Sequence, residues 1–114
     1  MTPVPVALRQ ARLRHLSETL GGQSEVARVL GVNRSRITRW LRNEDPDRDN
    51  QAKLDALDFV VTRLRQFLTA TAARDWLLGI NAHLGNRRPI DLIAHNRIAE
   101  VLSAIEQDEL GSYA

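Results

Sequence analysis

Apolar residues recur along this chain at helical spacing, and no stretch alternates apolar and polar positions as a strand would. Val6, Leu13, Leu16 and Leu20 fall on one stripe of a predicted helix, with Arg9, Arg12 and Arg14 off it. The pair Gly21-Gly22 stops that helix. Gln23 to Leu30 reads as a short second helix, Gly31-Val32-Asn33 as a turn, and Arg34 to Asn43 as a third helix. Asn33 is its expected N-cap, because an asparagine side chain can accept a bond from an orphaned N–H of the first turn. The result is two short helices joined by a tight glycine turn.

The stretch NEDPDRDN is acidic and contains proline, so it reads as a loop, with Asn50 placed to cap the next helix. Leu54, Leu57, Val61, Leu64 and Leu68 then step by three and four, which predicts an amphipathic helix of about four to five turns. Phe59 lies nearly opposite that stripe. A short helix is predicted around Ala72 to Leu78, and another over Ile90 to His95 with Pro89 at its first position, where a missing N–H costs nothing. Asn96 is the expected cap of a last helix whose apolar face is Ile98, Val101, Leu102 and Ile105. Gly111 is expected to end it in the left-handed conformation. The predicted fold class is all-α.

A length of 114 residues suits one ordinary domain, or two very small helical units that share a core. Hydrophobic residues make up 43% and charged residues 26%, a globular composition. The absence of cysteine excludes disulfides and thiolate metal sites. No apolar run approaches the roughly 18 residues of a membrane span. The start, MTPVPVALRQARL, is not that of a signal peptide, so a cytoplasmic location is expected.

Charge changes the picture more than composition does. The net charge of +2 conceals eight arginines against Glu18 and Glu25 over Met1–Asn43, and eight basic against twelve acidic residues over Glu44–Ala114. A basic front suits a polyanion such as nucleic acid, and a mildly acidic back does not. Two jobs in one chain are expected: residues 1–50 as a DNA-binding region and residues 51–114 for something else.

The front half has the parts of a helix-turn-helix. Its crossing helices approach closely, which asks for a small residue inside the second helix, a glycine at the turn and large apolar residues on the inner face of the third. Ala27, Gly31, Ile37 and Trp40 stand where those demands fall. At 100° per residue, Ile37, Trp40 and Leu41 share one face, while Ser35, Thr38, Arg39 and Arg42 share the other. Arginine pairs bidentately with guanine, and short hydroxyls reach bases or phosphates. Ser35, Arg36 and Arg39 are therefore assigned to bases, and Asn33, Arg34 and Arg42 mainly to the DNA backbone. A solvated cationic helix is the plain alternative.

The second half carries Trp76-Leu77, Asn81, Leu84-Gly85, Pro89-Ile90-Asp91-Leu92-Ile93, Arg97, Val101-Leu102, Ile105 and the ending Gly111-Ser112-Tyr113-Ala114. In order and spacing this series resembles the toxin-binding domain of the Xre/MbcA/ParS antitoxins. The front half resembles the Xre-like helix-turn-helix that those antitoxins carry ahead of it. The resemblance implies an antitoxin, not itself an enzyme, that neutralises a RES-domain toxin acting on NAD by glycohydrolysis, phosphorolysis or ADP-ribosyl transfer. It implies a C-terminal end placed in or over the toxin's NAD pocket, and repression of the antitoxin's own operon. Gly79-Ile80 before Asn81 departs from the longer or more polar passage of some relatives.

The chemistry of the tail suits that reading. Tyr113 offers a ring and a hydroxyl, Ser112 a donor and acceptor, and Ala114 a carboxylate, which together resemble the groups an NAD site must accept. Glu106, Asp108 and Glu109 crowd the last turn of the final helix, where the macrodipole favours cations. They are expected either to face a basic pocket mouth in the toxin or to form a solvated acidic turn. Trp76, Leu84, Pro89, Leu92 and Ile93 are expected to be the core that braces the tail. Asp91 is expected to cap its helix rather than to touch the toxin.

Catalysis is not expected. His15, His83 and His95 lack zinc-ligand spacing, there is no glycine-rich phosphate loop, and no cofactor or metal is predicted. Asp91 and His95 could meet at i, i+4, though such a pair is more often a surface contact. A homo-oligomer, a dimer, is expected, since repressors of this type bind paired half-sites. The alternative function is a stand-alone regulator whose second half only dimerises, with Phe59 on a self-association face unless the C-terminal helices cover it.

Overall fold

The helical pattern is realised throughout the computed structural model, which describes residues 6–111. These form α1 (Val6–Leu20), α2 (Gln23–Leu30), α3 (Arg34–Arg42), α4 (Arg48–Leu64), α5 (Ala70–Leu78), a 3-10 turn (Ala82–Leu84), α6 (Pro89–Ala94) and α7 (Ile98–Gly111). Among the described residues there is no strand, only an isolated bridge between Asn81 and Arg87. The fold is all-α, as the periodicity predicts.

In α1, Leu13, Leu16 and Leu20 are buried as expected, but Val6 is 50% exposed. Residues 6–8 are all exposed, so the first turn runs past the helices that α1 packs on. Gly21 and Gly22 stop the helix with φ of 95° and 130°. A Cβ on Gly21 would come within 2.8 Å of the Arg74 guanidinium of α5, so glycine also admits a close approach there. Gly31 closes α2 in the left-handed conformation, φ 71°, and the Val32 N–H donates to the Ala27 carbonyl at 3.0 Å. Asn33 occupies the N-cap position of α3, yet its side chain makes no cap bond. Its backbone carbonyl accepts from Arg36 N–H at 3.0 Å instead.

Helix α4 begins two residues before the expected cap. Asn50 is not its N-cap: it is buried in the first turn, and its Nδ2 donates to Asp47 Oδ1 at 2.6 Å. Asp47 and Asp49 favour the earlier start because carboxylates suit the positive end of a helix. Leu54, Leu57, Val61 and Leu64 are buried together with Val60, whereas Leu68 lies beyond the helix, partly buried in the turn to α5. Thr69 Oγ1 accepts from Ala72 N–H at 3.1 Å, a side-chain cap that starts α5 at Ala70.

Pro89 is the first residue of α6. Asp91 does not cap that helix: both its carboxylate oxygens accept from Arg88, from Nε and Nη2, at 2.9 Å. Asn96 is likewise not the cap of α7. It has φ 60° and comes just after the end of α6, where its N–H donates to the Ile93 carbonyl at 3.1 Å, the type of closure an asparagine can supply. Gly111 is the last residue of α7 and is not left-handed, because the helix continues through it.

Helix α1 packs on α2, α3, α4 and α5, α2 also meets α6, and α4 meets α6 and α7. Apolar residues from Leu13 to Ile105 thereby form one cluster drawn from both halves of the chain. Its fully covered members, such as Leu57, Val61, Leu77 and Ile105, each contribute on the order of 1.5–3 kcal/mol by leaving water.

Candidate functional site

Two charged surfaces are built on this frame. The first is the outer side of α3. Ala27, Ile37 and Trp40 are buried beneath it, which holds α3 against α2 and α1. Asn33, Arg34, Ser35, Arg39 and Arg42 are exposed. Two residues of this face also make contacts within the protein. Thr38 Oγ1 donates to Gln23 Oε1 at 3.1 Å and joins α3 to α2. The Arg36 guanidinium lies 5.6 Å from the Trp40 ring centroid, a cation–π contact, with Asp47 Oδ1 at 3.7 Å.

The end of α3 is tied down. Gln10 Nε2 donates to the Arg42 carbonyl at 2.6 Å, and the Asn43 and Glu44 N–H groups both donate to the Arg39 carbonyl at 3.1 Å. Nearby, Arg12 of α1 lies 3.8 Å from Asp58 of α4. Burial pushes the Asp58 carboxyl above the usual aspartate range, against the opposing pull of Arg12 and His15.

The second surface is the last turn of α7 and what it leans on. Asp108 Oδ2 accepts from Trp76 Nε1 at 2.6 Å and from Asn81 Nδ2 at 3.2 Å, and its Oδ1 lies 3.3 Å from His83 Nε2. Arg63 Nη2 of α4 donates to Glu109 Oε2 at 2.7 Å. The expectation that all three acids present themselves outward is therefore corrected: Asp108 and Glu109 hold α7 to α5, α4 and the 81–84 turn, while Glu106 is exposed. Their unfavourable position against the helix dipole is offset by these charge-assisted bonds. The sequence offers only the tryptophan itself, whose indole N–H needs an acceptor once it is covered, without saying which residue supplies it.

The brace behind α7 is as expected for Leu84, Pro89, Leu92 and Ile93, which are buried, while Trp76 is partly buried. The Asn81 N–H donates to the Arg87 carbonyl at 3.1 Å, with Gly85 and Asn86 both left-handed in between. Arg87 reaches Glu100 at 3.1 Å, and Arg97 donates to the same carboxylate. The Arg97 hydrogen bond holds Glu100 below the usual glutamate range. The hydrogen bond to Asp91 raises the Arg88 guanidinium further above its ordinary value. The Asp91 and His95 side chains do not pair; His95 Nδ1 lies 2.7 Å from the Asp91 backbone carbonyl. Ser112, Tyr113 and Ala114 lie outside the described residues.

Phe59 is 54% exposed and is not covered by the C-terminal helices. It lines an open groove of about 480 Å³ between α4 and α7, with Arg63, Leu102, Glu106, Glu109 and Leu110. No described helix is long and apolar enough to cross a membrane.

No family model and no solved structure matches the chain. Among known proteins it is 33% identical over 91 residues to the probable mycobacterial cidal antitoxin Rv3188 of Mycobacterium tuberculosis, an alignment covering 80% of this chain and 78% of that protein. It is 28% identical over 83 residues to the mycobacterial cidal antitoxin MbcA of Mycobacterium bovis, covering 72% and 74%. An HTH-type transcriptional regulator of Haemophilus influenzae is 48% identical over 44 residues, which is 38% of this chain and 18% of that protein. The all-helical fold, the glycine turn between α2 and α3 and the extent of the first alignment agree: the chain belongs to the Xre/MbcA-like family of antitoxins.

Proposed function

We propose that this protein is the antitoxin of a type II toxin–antitoxin pair. It neutralises a cognate RES-domain toxin that acts on NAD, with residues 51–114 as the toxin-binding part. Residues 1–50 bind operator DNA and repress its own operon. The observation that carries the reading is the similarity to a cidal antitoxin over 80% of the chain, a span too long to lie in either half alone. The protein works in the cytoplasm, by binding and not by catalysis.

In this reading Gly111, Ser112, Tyr113 and Ala114 enter or cover the toxin's NAD pocket, and Glu106 meets cations at its mouth. Support comes from the anchoring of α7 by Asp108 and Glu109, which fixes the helix from which the tail departs. A helix already held in place loses less conformational freedom on binding than a loose one. NAD consumption by the toxin, titrated with the full protein and with a version ending at Leu110, tests it. The shortened form is expected to bind the toxin and leave it active. Equal inhibition by both forms would remove the tail from the mechanism.

One observation favours a second reading, a stand-alone regulator whose C-terminal half only dimerises: Phe59 stands exposed beside Leu102 and Leu110. On that reading Phe59→Glu converts a dimer to a monomer in concentration-dependent mass measurements, and no toxin is bound. An unchanged mass would leave the groove without this role.

A further inference from the structure

Two arginines of the candidate DNA surface and one of α1 end on carboxylates of one short segment. Arg39 Nε lies 2.8 Å from Glu44 Oε2, Arg36 Nη2 lies 3.7 Å from Asp47 Oδ1, and Arg9 of α1 pairs with Asp45. Glu44, Asp45 and Asp47, with Pro46 among them, stand in the link between α3 and α4. The link is held against the recognition helix, because the Glu44 N–H bonds back to the Arg39 carbonyl and Asp47 borders the first turn of α4.

The two pairs made by α3 are exposed, with side-chain accessibilities of 55% for Arg39 and 46% for Glu44, and exposed ion pairs contribute little to stability. Holding the fold together is therefore a poor account of these two, whereas Arg9, 20% accessible, fixes the segment to α1 through Asp45. The geometry of the α3 pairs has a clearer effect on binding. An arginine must leave its carboxylate before it can take a phosphate, and fixed acids beside it repel the duplex.

We infer that the acidic segment Glu44–Asp47 is an intramolecular competitor of DNA, occupying arginines of the recognition surface through the Arg39–Glu44 and Arg36–Asp47 pairs, with the Arg9–Asp45 pair holding the segment in place. The inference rests on the DNA-binding reading of α3. It identifies Glu44, Asp45 and Asp47 as residues that set the strength of DNA binding without touching DNA. The segment acts most strongly where a duplex offers only phosphates, because such binding is entirely electrostatic.

The test uses the full chain and a fluorescent duplex of random sequence over a salt series, so no operator is required. The variant Glu44→Gln/Asp45→Asn/Asp47→Asn keeps the Oδ1 acceptor that Asn50 uses at position 47. A comparator, Glu18→Gln/Asp75→Asn/Glu106→Gln, makes the same change in net charge at exposed acids outside these pairs. The segment variant is expected to bind on the order of ten-fold tighter at low salt, with the slope of log affinity against log salt steeper by about two, since each added phosphate contact contributes about 0.9. The single change Glu44→Gln is expected to steepen the slope by about one. The comparator is expected to gain less and to keep the parental slope. An equal gain in variant and comparator would assign the effect to net charge and overturn the competitor. An unchanged slope in the segment variant would also overturn it. If parent and variants alike bind no duplex at low salt, the DNA-binding reading itself falls, and the inference with it.

Discussion

The outer side of α3 and the last turn of α7 are both crowded with charge, and the two are built in opposite ways. On α3 the arginines meet their counter-charges in water: Arg39 and Glu44 are both about half exposed. On α7 the acids meet theirs under cover: Asp108 receives the Trp76 indole N–H, and Glu109 the Arg63 guanidinium, in part-buried settings. A pair in water exchanges easily with solvent or ligand, whereas removing one member of a covered pair leaves the other without a partner. The sign of a charged patch therefore indicates what it attracts, and the burial of its counter-ions indicates whether the patch is available.

The largest expected effect is on the covered side. Asp108→Ala leaves Trp76 Nε1 and Asn81 Nδ2 without their acceptor and should destabilise the protein by about 2 kcal/mol in urea unfolding. The matching change on the open side, Glu44→Ala, should stay within about 0.5 kcal/mol. Equal losses for the two would erase the distinction. Asp58 is an intermediate case, with a side chain 24% accessible and Arg12 at 3.8 Å. Because burial raises its pKa, the folded state binds more protons than the unfolded state as pH rises through the acidic range. Its favourable contribution is thus present below the ordinary aspartate range and lost as pH climbs through the raised value. Asp58→Asn should therefore match the parent in melting temperature at low pH and exceed it slightly near neutrality. A variant less stable than the parent at neutral pH would show that the Arg12 pairing outweighs burial.

Much of the front half is legible in the sequence because its constraints are local. A glycine at position 31, alanine at 27 and large apolar residues at 37 and 40 leave little choice for a tight α2–α3 crossing, and the structure buries all three side chains. Helix ends are less legible. Asn50 and Asn96 are plausible caps by residue type, yet each is used elsewhere: one inside a turn, the other to close the preceding helix. Asp91 departs from the cap role for a similar reason, since Arg88 three residues before it is the stronger partner. The Asp108 cluster is the least visible, because Trp76 and Asp108 are 32 positions apart and only the packing of α7 on α4, α6 and the 82–84 turn brings them together. Thr38 and Arg36 show the same limit on the outer side of α3, where helical angle alone does not reveal that Gln23 and Trp40 engage them.

The cluster that joins both halves has a consequence for how such proteins diversify. At Gly21 the missing Cβ admits the Arg74 guanidinium, and α1 lies against both α4 and α5. Close-packed surfaces of this kind are matched to each other atom by atom. A recombination event that joined residues 1–50 of one lineage to the remainder of another would bring together faces that had not been selected as a pair. Diversification is therefore expected to proceed by substitution on the exposed outer faces, with the junction inherited as a unit.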